Sequence, residues 1–141
     1  MKRLLLSSAL LLGAAGTADA TWSIVLVDHA TGEVAIASAT CLVSFPLENN
    51  VPAIVVGKGA LAAQSTLDTG GTNRLLGFDL LLDDATPEEV LDALLTVGTN
   101  PSMRQYGIAA FSGPAATFSG AGAGDGIGNL VGSVGTITYA I

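Results

Sequence analysis

The residues around position 20 have the types and spacing that could create a terminal nucleophile. Ala18 and Ala20 form the small-x-small pattern of a leader cleavage site, and Thr21 follows directly. Cleavage after Ala20 would leave Thr21 with both a hydroxyl group and a free α-amino group. In such an arrangement the amine acts as the general base that activates the hydroxyl oxygen. The sequence therefore predicts a threonine nucleophile that is generated by processing.

The segment before this junction predicts export. It begins with the basic Lys2 and Arg3 and continues with an apolar run from Leu4 to Gly16, which is the order found in secretory signal peptides. The run is shorter than the roughly 20 apolar residues that span a bilayer, so an uncleaved membrane anchor is the less favoured alternative. We predict a signal peptide over residues 1–20, one domain over residues 21–141, and a secreted or periplasmic location with no membrane span after cleavage.

Charge and composition restrict the partners of the processed chain. Three basic side chains remain after residue 20, against eleven acidic ones. This negative balance argues against nucleic acid and anionic membranes as partners. Hydrophobic residues make up 50% of the sequence and charged residues 12%, which leaves little polar surface for a free-standing domain. We therefore expect burial against a partner, such as a second copy of the chain, or against additional chain.

Several kinds of site are excluded by residue counts and spacing. The sequence has one cysteine, Cys41, and one histidine, His29, so it can form neither an internal disulfide nor a Cys/His zinc site. We predict that Cys41 is a buried small apolar residue and that His29 lies solvated in a turn. The glycines between Gly120 and Gly128 match neither nucleotide-binding glycine pattern and predict a surface loop. No cofactor and no metal are expected.

The elements that must position Thr21 are groups of strands on either side of a pair of helices. Thr86, Pro87 and Glu89 have the spacing of a capping box at a helix start. The first hairpin is apolar on nearly every residue, which predicts that both faces of its sheet are covered. The grouping of strands and helices favours an α+β fold with helices against an antiparallel sheet. The predicted elements are a hairpin (22–27 and 33–38), an irregular loop (39–52), a strand interrupted by a bulge or tight turn at 57–59 (53–56 and 60–64), two helices (74–82 and 87–97), a second hairpin (106–111 and 115–119) and a last strand (131–141).

Dispersed motifs across residues 21–141 resemble a known family, the Domain of Unknown Function family 1028, whose members are similar in fold to N-terminal nucleophile (Ntn) hydrolases. The matching segments are Thr21-Trp22-Ser23-Ile24-Val25, Asp28-x-x-Thr31-Gly32-Glu33, Gly57-Lys58-Gly59-Ala60-Leu61-Ala62-Ala63-Gln64, the helix that begins Thr86-Pro87-Glu88-Glu89, and Arg104-Gln105-Tyr106-Gly107.

The resemblance implies an Ntn-hydrolase-like αββα sandwich with antiparallel sheets, incomplete at the C-terminus because family members typically run longer. It implies that Thr21 is the nucleophile and that its own α-amine is the base. Lys58 would be the lysine found near such nucleophiles, and Ser38 falls where a supporting aspartate is expected, although serine carries no charge. Backbone N–H groups of a glycine loop could form an oxyanion hole.

Two functions remain open at this point. The first is an exported amidohydrolase-like enzyme that opens an amide or peptide bond through an acyl-enzyme, with cell-wall peptides fitting the location. The second is a non-catalytic binding or structural module on the same scaffold, because fold alone does not confer function.

Overall fold

The computed structural model describes residues 21–66 and 68–141. The predicted signal peptide, residues 1–20, lies outside the described residues. The described chain forms two antiparallel sheets and two longer helices, which confirms the α+β class. Its elements are β1 (Thr21–Asp28), β2 (Glu33–Thr40), α1 (Leu47–Asn50), β3 (Pro52–Val55), β4 (Gly59–Ser65), α2 (Thr72–Leu82), α3 (Pro87–Thr96), a 3₁₀ turn (Pro101–Met103), β5 (Arg104–Ala110), β6 (Ala116–Ser119), β7 (Val131–Val134) and β8 (Ile137–Ala140).

The first sheet has the strand order β2-β1-β8-β7. Its central hairpin pairs Thr21 with Thr40 at the open end and Asp28 with Glu33 at the turn. Because side chains alternate between the two faces of a strand, Ser23, Val25 and Val27 share one face and are buried. The predicted first hairpin is confirmed and is longer than predicted at both ends.

The second sheet has the order β3-β4-β5-β6. β3 is an edge strand that begins at Pro52, a position where a missing N–H is tolerated. β4 and β5 are central, and their register pairs Gln64 with Gln105. The tight turn predicted at residues 57–59 connects β3 to β4, and the second predicted hairpin is formed by β5 and β6.

Two apolar clusters hold the layers together. The inner faces of the two sheets meet through mostly small side chains of the first cluster (Val25, Val27, Val51, Ala60, Ala62, Ala109 and Ala140). The opposite face of the second sheet carries larger residues, including Leu61, Tyr106 and Ile108, that pack against Leu81, Val90 and Leu94 of the helices. The described layers are therefore helices, sheet and sheet.

The helices approach the second sheet closely. A Cβ atom at Gly77 of α2 would meet Leu61 Cδ2, so a larger residue where this helix crosses β4 would force the buried Leu61 side chain to move. The start of α3 is the predicted capping box, in which the Glu89 N–H donates to Thr86 Oγ1 and the Thr86 N–H donates to Glu89 Oε2. Neither α2 nor any other helix in residues 21–66 and 68–141 is long and apolar enough to cross a membrane.

Three predictions differ from the structure. The predicted last strand is two strands, β7 and β8, joined by a turn in which Gly135 has φ +60°. The loop predicted over residues 39–52 contains the end of β2 and the short helix α1. The first sheet is covered on one face only in the described part of the chain, since Trp22 and Val134 are 55% and 71% exposed; an apolar strand sequence does not by itself require cover on both faces.

Candidate active site

A pocket of about 250 Å³ lies at the end of the sandwich where β1 begins. Its walls come from five places in the chain. They are Thr21 at the start of β1, Cys41 and Leu42 after β2, Ser65 and Gln105 from the second sheet, and the glycine-rich loop of residues 123–127. The structure therefore brings the predicted nucleophile and the glycine-rich loop into one pocket.

Thr21 is held by hydrogen bonds on both its side chain and its backbone. Its Oγ1 lies 3.0 Å from Oγ1 of Thr40, which is its partner in the hairpin. Its carbonyl oxygen accepts a hydrogen bond of 2.8 Å from Nε2 of Gln64 on the opposite sheet. These contacts fix the direction in which the Thr21 hydroxyl can point.

Behind Thr21, a chain of polar side chains joins the two sheets. Ser23 Oγ donates to Gln64 Oε1 over 2.5 Å and lies 2.8 Å from Ser38 Oγ. Ser23 is only 7% exposed, so these bonds satisfy polar groups that would otherwise be buried without partners. Ser38, a predicted site residue, thus connects to Thr21 through Ser23 and Gln64. Its direct hydrogen-bond partner is Ser23.

Lys58, the other predicted site residue, lies at the opposite end of the second sheet. Its Nζ forms an ion pair of 2.5 Å with Asp84. Since β4 runs from Gly59 to Ser65 and a strand rises about 3.3 Å per residue, Lys58 is roughly 20 Å along the strand from Gln64. The structure does not bring Lys58 to Thr21.

The glycine-rich loop is tied to the rest of the pocket by backbone acceptors. The Gly122 N–H donates to Ser102 O at 2.8 Å, and Ser65 Oγ donates to Ala123 O at 3.0 Å. Side chains could not replace the glycines freely here, because a Cβ at Gly120 would lie 2.4 Å from Ser102 O. The segment is a loop, as predicted, and these contacts bring its backbone to the edge of the Thr21 pocket.

Cys41 is exposed, so the prediction that it is buried is wrong. β2 ends at Thr40, and the next residue therefore leaves the sheet and reaches the pocket mouth. His29 is exposed in the turn at the far end of β1, as predicted, and its Nε2 lies 3.1 Å from Thr138 Oγ1.

A buried ion pair supports the pocket from behind. Arg104 and Asp68 are 3% and 4% exposed and lie 3.8 Å apart. Arg104 also donates to the carbonyl oxygen of Thr66, next to the pocket residue Ser65. Burial raises the pKa of the neighbouring Tyr106 to about 12, so this side chain stays neutral at physiological pH. Among the described residues no three His, Cys, Asp or Glu side chains are grouped as a metal site.

Comparison with known proteins identifies the family. A family model described as a family of unknown function, DUF1028, matches residues 21–138. The chain belongs to the DUF1028 family. The crystal structure of a DUF1028 protein from Silicibacter pomeroyi is similar in fold, with a TM-score of 0.68 and 22% sequence identity. The similarity covers 85% of this chain and 53% of that protein, so this DUF1028 chain spans about half the length of its structural relative. No curated protein matches the sequence.

Sequence inspection missed three residues around Thr21 in this DUF1028 protein, namely Thr40, Gln64 and Asp125. The register of a hairpin follows from its turn, so the turn after Asp28 places Thr21 opposite Thr40 and Ser23 opposite Ser38. That signal was present in the sequence. Gln64 reaches the Thr21 carbonyl oxygen through sheet packing, and Asp125 reaches the pocket through a long loop; no local sequence pattern indicates either contact.

Proposed function

We propose that this DUF1028 protein is an exported amidohydrolase-like enzyme in which removal of residues 1–20 makes Thr21 an N-terminal nucleophile. The observation that carries the proposal is the position of Thr21, which is the first residue of β1 and lines the pocket that the glycine-rich loop borders. A nucleophile on a strand held by neighbouring side chains is positioned more accurately than one on a free terminus.

The chemistry follows from the two groups of a terminal threonine. The α-amine accepts the proton of Thr21 Oγ1 as this oxygen attacks the carbonyl carbon of an amide. The proton then passes to the nitrogen of the leaving amine, and the acyl group remains as an ester on Oγ1. Attack by water on the ester releases the acid and restores the threonine. An α-amino group has a reference pKa of about 7.7–8.0, so enough neutral amine is present near pH 8.

Stabilisation of the negative charge on the reacting oxygen would come from backbone N–H groups. The loop of residues 123–127 is the part of the pocket wall best suited to this role. Two face-to-face sheets with helices on one side are also compatible with the centre of an Ntn-hydrolase αββα sandwich. The substrate class is an amide or peptide, and cell-wall peptides fit an exported enzyme.

The experiment combines N-terminal mass analysis with covalent labelling. Full-length protein exported from a bacterial host should begin at Thr21, and a β-lactone should add to it with the mass of one acyl group. Thr21→Ala should reduce labelling to background. Ala18→Arg, which blocks the leader site, should leave the hydroxyl without a free amine and also abolish labelling. Labelling that persists in Thr21→Ala, or a terminus other than Thr21, would contradict the enzymatic mechanism.

A second candidate is a non-catalytic binding module on the same scaffold. It is favoured by the position of Lys58, which pairs with Asp84 at the far end of β4, and by the absence of charge on Ser38. Correctly processed protein that no β-lactone labels would support this alternative.

A further inference from the structure

The pocket beside Thr21 has one charged side chain in its lining. Among the described residues that line it, Asp125 is the only acidic or basic side chain; the others are Thr21, Cys41, Leu42, Ser65, Gln105 and the neighbours of Asp125 in the loop. Asp125 is exposed, so its carboxylate meets the solvent that a ligand would displace.

Two of the three Lys and Arg side chains of the described residues are paired with other carboxylates. Arg104 faces Asp68 in the buried pair behind Ser65, and Lys58 faces Asp84 roughly 20 Å along β4 from Gln64. Neither ion pair of the described residues includes Asp125. The side chains that line the pocket therefore carry one net negative charge, in a protein whose overall charge is −7 at pH 7.

The side chain of Gln105 adds a hydrogen-bond acceptor to this pocket. Gln105 Nε2 donates one of its two N–H groups to Ser119 Oγ at 3.1 Å, which holds the amide nitrogen towards β6 and leaves Oε1 available as an acceptor. A ligand that brings hydrogen-bond donors and a positive charge satisfies this arrangement best.

We propose that the Thr21 pocket recognises a cationic group, a primary amine or a guanidinium, and that the Asp125 carboxylate pairs with it. As a statement about substrates this rests on the proposed function: the amide that Thr21 opens then belongs to a basic amino acid or a polyamine. The recognition itself is a property of the pocket and does not depend on Thr21 being a nucleophile.

Cys41 provides a direct test, because it lines the same pocket and is the only cysteine of the chain. Protein is expressed from the full-length sequence, exported from the host and treated with two methanethiosulfonate reagents of similar size. One reagent carries trimethylammonium and the other carries sulfonate. Each rate is divided by the rate of the same reagent with 2-mercaptoethanol. The assay is run at low salt and pH 9, above the reference pKa of about 7.7–8.0 for an α-amino group, so that a terminal amine at Thr21 is uncharged.

The corrected rate ratio should favour the cationic reagent roughly tenfold, which is the combined effect on a cation and an anion of one charge about 6 Å away in water. Asp125→Asn should bring the ratio close to one. Asp92→Asn is the matched control, because it removes the same charge from the exposed surface of α3, and it should leave the ratio high. Equal ratios in the two variants would overturn the proposal.

The substrate statement is tested with paired electrophiles that label Thr21. Two β-lactones of equal length, one ending in an ammonium group and one in a neutral hydroxyl, are compared in wild type and in Asp125→Asn. Wild type should react several-fold faster with the cationic probe, and Asp125→Asn should lose that preference. Equal rates in wild type would overturn the substrate class.

These outcomes separate the two proposals. If neither lactone labels Thr21 while Cys41 still prefers the cationic reagent, the enzymatic function fails and cation recognition is supported. If both lactones label Thr21 without preference, the nucleophile is supported and the cationic substrate class fails; cation recognition itself fails if the Cys41 ratio is also the same in Asp125→Asn and Asp92→Asn. Melting curves of Asp125→Asn and Asp92→Asn verify that both variants are folded.

Discussion

The two ion pairs of the described chain differ in ways that distance alone would misjudge. Lys58 and Asp84 lie 2.5 Å apart, yet their side chains are 35% and 68% exposed. Arg104 and Asp68 lie 3.8 Å apart and are almost fully buried. In water a charge pair gains little, because solvent competes for both ions. Removing one partner of a buried pair leaves the other charge without compensation.

The buried pair also has more partners. Asp68 Oδ2 accepts hydrogen bonds from the N–H groups of Asn73 and Arg74 in the first turn of α2. Arg104 donates to the carbonyl oxygen of Thr66. One carboxylate thus satisfies the start of a helix and an arginine next to the Thr21 pocket. Burial and the number of hydrogen bonds, more than the distance between the ions, therefore decide how much each ion pair contributes to the stability of this protein.

Asp68→Ala should have the largest effect on stability. It leaves Arg104 uncompensated and two helix N–H groups without an acceptor, which should lower the free energy of unfolding by about 3–5 kcal/mol. Urea unfolding measures this change. Asp84→Ala is the matched control at the exposed pair and should cost about 1 kcal/mol or less. Similar losses in the two variants would contradict the comparison.

The two longer helices differ in how well their first residue could be predicted from the sequence. α3 begins with a capping box made of residues three apart, Thr86 and Glu89, and its start was predicted correctly. α2 begins at Thr72, two residues before the predicted start, and its first N–H groups are capped by Asp68 from the preceding loop. Gly71, the residue before the helix, has no side chain to signal the boundary.

The residues around Thr21 also divide into those indicated by neighbouring residues in the sequence and those brought together only by packing of the sheets. The prediction of Thr21 as a nucleophile rests on the leader pattern alone, because that pattern lies within a few consecutive residues. Gln64 reaches Thr21 only because β4 of one sheet packs against β1 of the other. Such contacts depend on sheet packing, which side-chain periodicity does not specify. The exposure of Cys41 could not be predicted, because a small apolar residue just after the end of a strand can point into the core or into solvent.

The capping box of α3 should have an intermediate effect. Thr86→Ala removes the acceptor for the Glu89 N–H and should lower the free energy of unfolding by about 1 kcal/mol. Urea unfolding at pH 7 measures it, and Thr86→Ser, which keeps the acceptor, should be close to wild type. A loss in Thr86→Ser equal to that in Thr86→Ala would exclude the cap as the cause.

This box also adds a dependence on pH. The hydrogen bonds from the Thr86 backbone and side chain lower the pKa of Glu89 in the folded protein. Glu89 therefore contributes stability above its unfolded pKa, and this contribution is lost as the pH falls through the lower folded pKa. The stability difference between wild type and Thr86→Ala should shrink over that acidic range.

Lys58→Met should have the smallest effect, even though it removes the shortest ion pair of the described chain. Methionine has a similar length to the methylene part of the lysine side chain, so packing is largely kept. The lost ion pair is exposed, so the free energy of unfolding should fall by about 0.5 kcal/mol or less. The effect should decrease further in 1 M salt, where the Debye length is about 3 Å.

Thr21 labelling provides a second readout for Lys58→Met, and it should be unchanged because Lys58 lies roughly 20 Å along β4 from Gln64. A large loss of labelling would instead indicate that Lys58 assists the nucleophile, as the family resemblance first implied.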